Sequence, residues 1–234
     1  MIEQILPPEV AYAEAFADPL DVGLFPEEQA LIAKAVPTRR REFATGRGCA
    51  RSALADLGVA PAPIGQGEQG SPRWPPGIVG SITHCAGYRA AVVAQASDVL
   101  TIGLDAEPDE VLPNGVLGVV SAPGERARLR DLAAAAPDTC WDRLLFSAKE
   151  ATYKAWFPLA RRWLGFEDAD ITINATDGTF EARLLVAVPA VDGFPLTGFT
   201  GRWLAQDGLI LTVITAAGPG CRPSARGVAP FRPS

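Results

Sequence analysis

The sequence predicts an α+β fold, and three observations carry that expectation. Residues 38–57 and the stretch from about 138 to Trp156 place apolar side chains at helical spacing, apolar runs of strand length follow each of them, and the turns between those runs, such as Asp177-Gly178 and Asp207-Gly208, are short enough for antiparallel neighbours. Helices segregated from antiparallel strands define this class. Each half offers a helix followed by antiparallel strands, a pattern compatible with duplication, although no persuasive internal repeat is evident.

In chain order, residues 27–36 read as a short helix that Pro37 interrupts. From Thr38, a candidate N-cap, a second helix runs to Leu57 and stops at Gly58. At about 100° per residue Phe43, Ala50, Leu54 and Leu57 form one apolar stripe; Arg39 projects in line with it, Arg47 lies on its edge and Arg41 points away. Arginines beside an apolar stripe either lay their stems across it to reach water or are held there for an anion, and the pattern leaves both open. Residues 60–76, rich in Pro and Gly, are expected to be loop.

Residues 78–84, 88–95 and 99–107 read as three strands joined by Cys85-Ala86-Gly87 and Ala96-Ser97-Asp98, an antiparallel meander. The first and third strands of a meander run the same way, so His84 and the pair Asp105 and Glu107 are expected at one sheet edge. Residues between 108 and 138 look like a connector with a short helix starting near Pro123. The long helix that follows passes through Trp141, Leu145, Ala148, Thr152 and Trp156 and is expected to end at Pro158. Strands are then predicted at 169–175, 180–188, 201–206 and 209–216. Residues 217–234, rich in Pro, Gly and Arg, read as a disordered tail.

Composition bounds the function. A chain of 234 residues can bury a full core, and no apolar run approaches the roughly 18 to 20 residues needed to cross a bilayer. The first twenty residues carry Glu3, Glu9, Glu14 and Asp18 and no Lys or Arg, unlike a secretory signal, so the cytoplasm is expected. Cys49, Cys85, Cys140 and Cys221 are scattered, with only one histidine to assist them, and are expected to be free thiols. A net charge of −6 argues against a nucleic-acid partner. Positive charge is local instead: Arg39, Arg40, Arg41, Arg47 and Arg51 could serve a small polyanion.

The chemistry-bearing residues are acidic. A strand repeats every two residues, so Asp105 and Glu107 share a face, while Glu150 and Lys154, four apart, share a helix face. Three grouped carboxylates suit a hard cation such as Mg²⁺, which completes its shell with water and substrate phosphate oxygens. Each half of this set is also ordinary surface chemistry, a Glu to Lys pair at this spacing being worth only about 0.3 to 0.5 kcal/mol as a solvated ion pair. The same helix places Lys149 about 100° from Glu150, where it is expected to be solvated or to reach substrate, with solvation favoured. Trp156 and Trp163 are expected in the core.

Taken together, Gly103-Leu104-Asp105-Ala106-Glu107 and Phe146-Ser147-Ala148-Lys149-Glu150-Ala151-Thr152-Tyr153-Lys154-Ala155-Trp156 resemble the signature of the 4′-phosphopantetheinyl transferases. The likeness extends to Arg39-Arg40-Arg41-Glu42-Phe43, Arg47, Cys49-Ala50-Arg51 and Gly80-Ser81-Ile82-Thr83-His84-Cys85, covering roughly residues 37 to 166 in the order found in enterobactin-type and actinobacterial members. The resemblance implies two similar α+β halves in a pseudo-dimeric arrangement, residues 1–108 and 109–216, with the active site in the cleft between them. It implies a cytoplasmic, monomeric enzyme that moves the phosphopantetheine arm of coenzyme A to a serine of an apo acyl or peptidyl carrier protein, releasing adenosine 3′,5′-bisphosphate. Such activation serves polyketide, siderophore or fatty-acid biosynthesis.

By the same resemblance Asp105, Glu107 and Glu150 hold Mg²⁺, which Mn²⁺ can replace. Arg39, Arg47, Thr83, His84 and Lys154 bind coenzyme A, and Glu150 and Lys154 are catalytic. Glu150 is the family's usual candidate for taking the serine proton, but a carboxylate on Mg²⁺ is a weak base at pH 7, and relay through a metal-bound water is the alternative. Relatives place lysines in the loop at 64–72 where this chain has Gln66 and Gln69, so the expectation is either a lower affinity for coenzyme A or substitution by Arg73. Arg126, Arg128, Arg130, Arg143, Arg161 and Arg162, beside Leu112, Val116 and Leu117, are candidates for carrier docking or a solvated face. The residues also allow a Mg²⁺-dependent phosphohydrolase of a nucleotide-like substrate, or a non-catalytic coenzyme A binding module.

Overall fold

The computed structural model describes residues 1–19, 21–186, 190–191 and 194–218. Most of the expected tail lies outside these residues. Of it, Ala217 closes the last strand and Gly218 follows.

The chain opens with a 3-10 turn at Ile2–Ile5, then β1 (Ala11–Ala15), α1 (Pro26–Leu31) and α2 (Pro37–Asp56). Pro37 starts α2 and does not merely precede it: its missing N–H costs nothing in the first turn, where that donor has no partner, and the side chain of Thr38 is not the cap. Residues 60–76 are not all loop. A ribbon of β2 (Gly65–Gln66) and β3 (Pro72–Arg73) closes around a turn in which Gln69 takes φ +52°. The strands β4 (Ile78–Cys85), β5 (Tyr88–Gln95) and β6 (Val99–Pro108) fall where the apolar runs predict them.

The connector holds two helices, α3 (Val116–Val120) and α4 (Pro123–Ala135), before α5 (Trp141–Ala160). Pro158 does not stop α5. The helix continues past it and ends at Arg161, which takes φ +49°. The second half closes with β7 (Ala169–Asn174), β8 (Thr179–Leu184), the short pair β9 (Ala190–Val191) and β10 (Phe194–Pro195), β11 (Gly198–Gln206) and β12 (Leu209–Ala217).

Two sheets organise these elements, and the meander is not one of them. β4 and β5 pair with β1 in the order β1-β5-β4, while β6 leaves them to pair with β12 in the order β6-β12-β11-β8-β7. The contact between β4 and β6 is made by side chains: Ser81 Oγ accepts the Leu104 N–H and Thr83 Oγ1 accepts the Ala106 N–H, each at 3.1 Å. Both strands advance by two residues between these bonds, so they run parallel, as expected for the ends that carry His84 and Glu107. Hydroxyls at alternate β4 positions satisfy donors that would otherwise be buried without partners. The boundary expected at 108 assigns β6 to the first half, whereas its ladder places it in the sheet of the second.

Helix α2 covers β5 and β1, burying Ala50, Ala53 and Leu54 against Ala91 and Val93. The opposite face of β5, with Tyr88, Ala90 and Val92, packs on Ile102, Leu104, Leu211 and Val213, so β5 is buried on both sides, which accounts for its unbroken apolar run. Helix α5 covers β6 and β12 through Leu144, Leu145, Ala148 and Ala151. Gly103 permits that approach: a Cβ there would lie 1.9 Å from the Ala151 carbonyl oxygen.

Candidate active site

Thr101, Gly103, Asp105 and Glu107 alternate along β6 onto the face that α5 covers. Thr101 Oγ1 donates to the Ala155 carbonyl at 2.8 Å, Gly103 meets Ala151, Lys154 Nζ donates to Asp105 Oδ1 at 2.7 Å, and Arg143 Nη1 donates to Glu107 Oε2 at 2.9 Å. The shared face expected for the two acids is thus present, opposite α5. Lys154 also donates to the Leu104 carbonyl at 2.9 Å. Asp105 is 5% exposed, and its Oδ2 is buried without a hydrogen-bond partner.

Glu150 lies on the same side of α5. Burial first, and then the charge of Asp105, raise its carboxyl above the ordinary glutamate range; the same two causes raise Glu107, opposed by Arg143. The three acids therefore feel one another. They do not form a closed cage: among the described residues no three His, Cys, Asp or Glu side chains group closely enough to hold an ion, and cations stand on two of the three acids. The donor set is nonetheless of the kind a divalent cation takes: the buried Asp105 Oδ2 lacks a hydrogen-bond donor, and burial first, then the Asp105 charge, raise the two neighbouring carboxyls.

Two basic residues of α5 differ from their sequence reading. Lys149 is neither solvated nor turned to the acids. It is 4% exposed, and its ammonium donates to Glu125 Oε2 at 2.9 Å and to the carbonyls of Phe166 and Ala169 at 2.7 and 2.8 Å. Glu125 completes the arrangement by accepting the N–H groups of Ala122 and Ile171. Arg143 is not a free docking charge: besides Glu107 it holds the carbonyls of Glu110 and Val111. Sequence reasoning missed its place at the acids, although Arg143, Glu150 and Lys154 stand at i, i+7 and i+11, one helical face.

A second cluster joins α2 to the ends of β4 and β5. Arg39 Nη1 meets His84 Nε2, and Glu42 stands between them and Arg89, 3.5 Å from Arg39, 3.9 Å from His84 Nδ1 and 3.6 Å from Arg89. Burial and then Arg39 hold the imidazole below the ordinary histidine range. Arg47 is buried, stacks on Phe43 with its guanidinium carbon 4.4 Å from the ring centroid, and donates Nε to the Ile64 carbonyl at 3.0 Å. Desolvation lowers it to about 10. Thr83 is buried, donates to Asp105 Oδ1 at 3.4 Å and accepts from the Ala106 N–H, so in the ligand-free protein its hydroxyl holds the strand that carries the acid.

A cavity of about 1110 Å³ adjoins these groups. Glu150, Lys154, Tyr153 and Phe157 of α5, Ser81 and Ile82 of β4, and Arg73 line it, whereas Asp105, Glu107, Arg39 and His84 stand outside its lining. The Tyr153 hydroxyl is buried without a partner. Trp156 is buried as expected, but Trp163 is 64% exposed and meets Tyr153 in a tilted contact, ring centroids 4.9 Å apart. Among the described residues Cys49, Cys85 and Cys140 are free thiols, and no helix is long and apolar enough to cross a membrane.

Known proteins share this chain's sequence along most of its length. A family model described as the 4′-phosphopantetheinyl transferase N-terminal domain matches residues 27–94, and one described as the 4′-phosphopantetheinyl transferase superfamily matches residues 101–191. The two meet at the turn between β5 and β6. The chain is 52% identical to the 4′-phosphopantetheinyl transferase Svp of Streptomyces mobaraensis, over 94% of this chain and 90% of that protein. It is 52% identical to the 4′-phosphopantetheinyl transferase PptT of Mycobacterium tuberculosis, over 92% and 97% respectively. Enterobactin synthase component D of Salmonella typhimurium is 32% identical over 76% of this chain and 72% of its own length. With both helix-on-sheet units matched and identity extending across them, the chain belongs to the 4′-phosphopantetheinyl transferase superfamily and is an enzyme of the transferase class.

Proposed function

We propose that the enzyme transfers the 4′-phosphopantetheine arm of coenzyme A to a serine of an apo acyl or peptidyl carrier protein, with Mg²⁺ or Mn²⁺, and releases adenosine 3′,5′-bisphosphate. The observation that carries this reading is the half-satisfied carboxylate of Asp105: Lys154 holds Oδ1, the buried Oδ2 has no donor, and burial first, then the Asp105 charge, raise both Glu107 and Glu150. Asp105, Glu107 and Glu150 are the residues that would hold the cation. When bound, it would neutralise pyrophosphate oxygens and the charge that grows on the leaving bisphosphate.

The remaining work falls to the chain's own groups. Lys154 lines the cavity and offers a fixed positive charge to phosphate oxygens. Arg39, His84 and Arg47 hold the phosphates distant from the reacting centre, where guanidinium groups make paired bonds. Glu150 makes no side-chain hydrogen bond among the described residues, which leaves its carboxylate open to the cation and to the serine proton; because a cation on Glu150 would weaken it as a base, the proton passes either to Glu150 or to a water beside it. Thr83 positions Asp105 through its hydroxyl. Arg73, on the cavity wall, takes the part of the lysines that Gln66 and Gln69 replace.

We place the junction of two related halves at the turn 96–98, with α2 on β1-β5-β4 in one and α5 on the five-stranded sheet in the other, and the active-site cleft between them. The carrier docks beside the segment that Arg143 ties to Glu107, where Val111 and Val119 are 72% and 74% exposed. The reaction is tested by incubating the protein with coenzyme A, Mg²⁺ and an apo carrier and measuring the carrier's intact mass. The expected result is the gain of one phosphopantetheine arm, lost on chelation of Mg²⁺. An unchanged carrier, or release of free phosphate without a modified carrier, counts against transfer.

A further inference from the structure

Glu42 is the residue of this region to which the proposed chemistry gives no part. Its Oε2 lies 3.5 Å from Arg39 Nη1 and 3.9 Å from His84 Nδ1, and its Oε1 lies 3.6 Å from Arg89 Nη2. The other ring nitrogen of His84, Nε2, meets Arg39 Nη1. A guanidinium can only donate, so Nε2 is the acceptor and the ring proton sits on Nδ1, the nitrogen turned to Glu42. A histidine side chain free in water favours the opposite tautomer.

We propose that Glu42 is a positioning residue for His84: together with Arg39 on Nε2 it favours the Nδ1–H tautomer in the ligand-free protein, and it supplies the counter-charge when Nε2 takes up a proton against a phosphate dianion. This rests on the reading of His84 as a phosphate contact. In the ligand-free protein burial and Arg39, with Lys154 from α5 and Arg89 from β5, hold the imidazolium form down, and Glu42 opposes them. The neighbouring Cys85 thiol, pushed up to about 12 by burial and by Glu107 and Asp105, stays neutral. A phosphate placed between Arg39 and His84 offsets these cations and gives the Nε2–H an acceptor. Glu42 Oε2, 3.9 Å from Nδ1, then supplies the opposing charge on the other side of the ring without a direct hydrogen bond. The proton comes from solvent and no covalent bond changes.

His84 is the only histidine, so its ring nitrogens give an unambiguous ¹⁵N–¹H correlation in labelled protein. The expected result for the ligand-free protein above the histidine midpoint is the Nδ1–H form, shifting toward Nε2–H in Glu42→Gln. Saturating adenosine 3′,5′-bisphosphate is expected to raise the titration midpoint of His84 by about one unit, a tenfold gain in proton affinity, and by less than half of that in the variant. An Nε2–H ring in the unaltered protein, or identical tautomers and midpoints in both proteins, overturns the role of Glu42. Signals that the bisphosphate leaves unmoved in both proteins overturn the phosphate contact at His84, and with it the counter-charge half of the proposal. Should Glu42→Gln not fold, Glu42→Asp, which keeps the charge but shortens its reach, reports the same balance.

Discussion

Glu150 shows at the scale of one residue how burial couples protonation to stability. Its carboxyl is raised by burial and by Asp105, so the folded protein binds a proton there more readily than the unfolded chain does. The stability associated with that proton is fully present below the unfolded glutamate value and is lost as pH rises through the folded one. Glu150→Gln removes the buried charge while keeping the shape. At pH 7, without added metal, it is expected to raise the free energy of unfolding by about 0.5 to 2 kcal/mol, with the gain fading toward about pH 4, while transfer is abolished. Urea titrations at the two pH values check the first part, and a variant less stable than the parent at pH 7 contradicts it. Residue positions along β6 and α5 were legible because period two and period 3.6 fix which side chains share a face. Lys149 was misread because helical angle gives a direction and not what stands there, and Glu125 arrives from another helix.

At the scale of elements, Lys149 and Glu125 lock α5 to the start of α4 and to β7, beside the face that carries Glu150 and Lys154. Both are buried, the ammonium of Lys149 meets three acceptors and both oxygens of Glu125 accept donors, the one condition under which a buried ion pair is tolerable. Replacing one partner strands the other charge: Lys149→Met or Glu125→Gln is expected to cost about 3 to 5 kcal/mol, and the double replacement less than the sum of the two. Denaturation of the four proteins in urea gives the coupling, and additive single effects exclude it. Helices and most strands were legible from periodicity. β1 was not, since Ala11-Tyr12-Ala13-Glu14-Ala15 has little strand propensity and is ordered by pairing with β5. Nor was the partner of β6, because β12 lies about a hundred residues away and the turn at 96–98 fits a meander equally well.

For the whole molecule, the α+β class follows from local patterns, but the way its two sheets meet does not. Ser81 and Thr83 bridge β4 to β6 through hydroxyls, an arrangement that no alternation of apolar residues encodes, yet it brings the end of β4 that carries His84 alongside the acids of β6. The central claim is that Asp105, Glu107 and Glu150, delivered by a strand and a helix, take one divalent cation together. Mn²⁺ binding, followed by electron paramagnetic resonance with coenzyme A present, tests it most directly. The expected result is one tight site per chain, weakened by more than about tenfold in each of Asp105→Asn, Glu107→Gln and Glu150→Gln. Full-affinity binding that persists when Glu150 is replaced would contradict it.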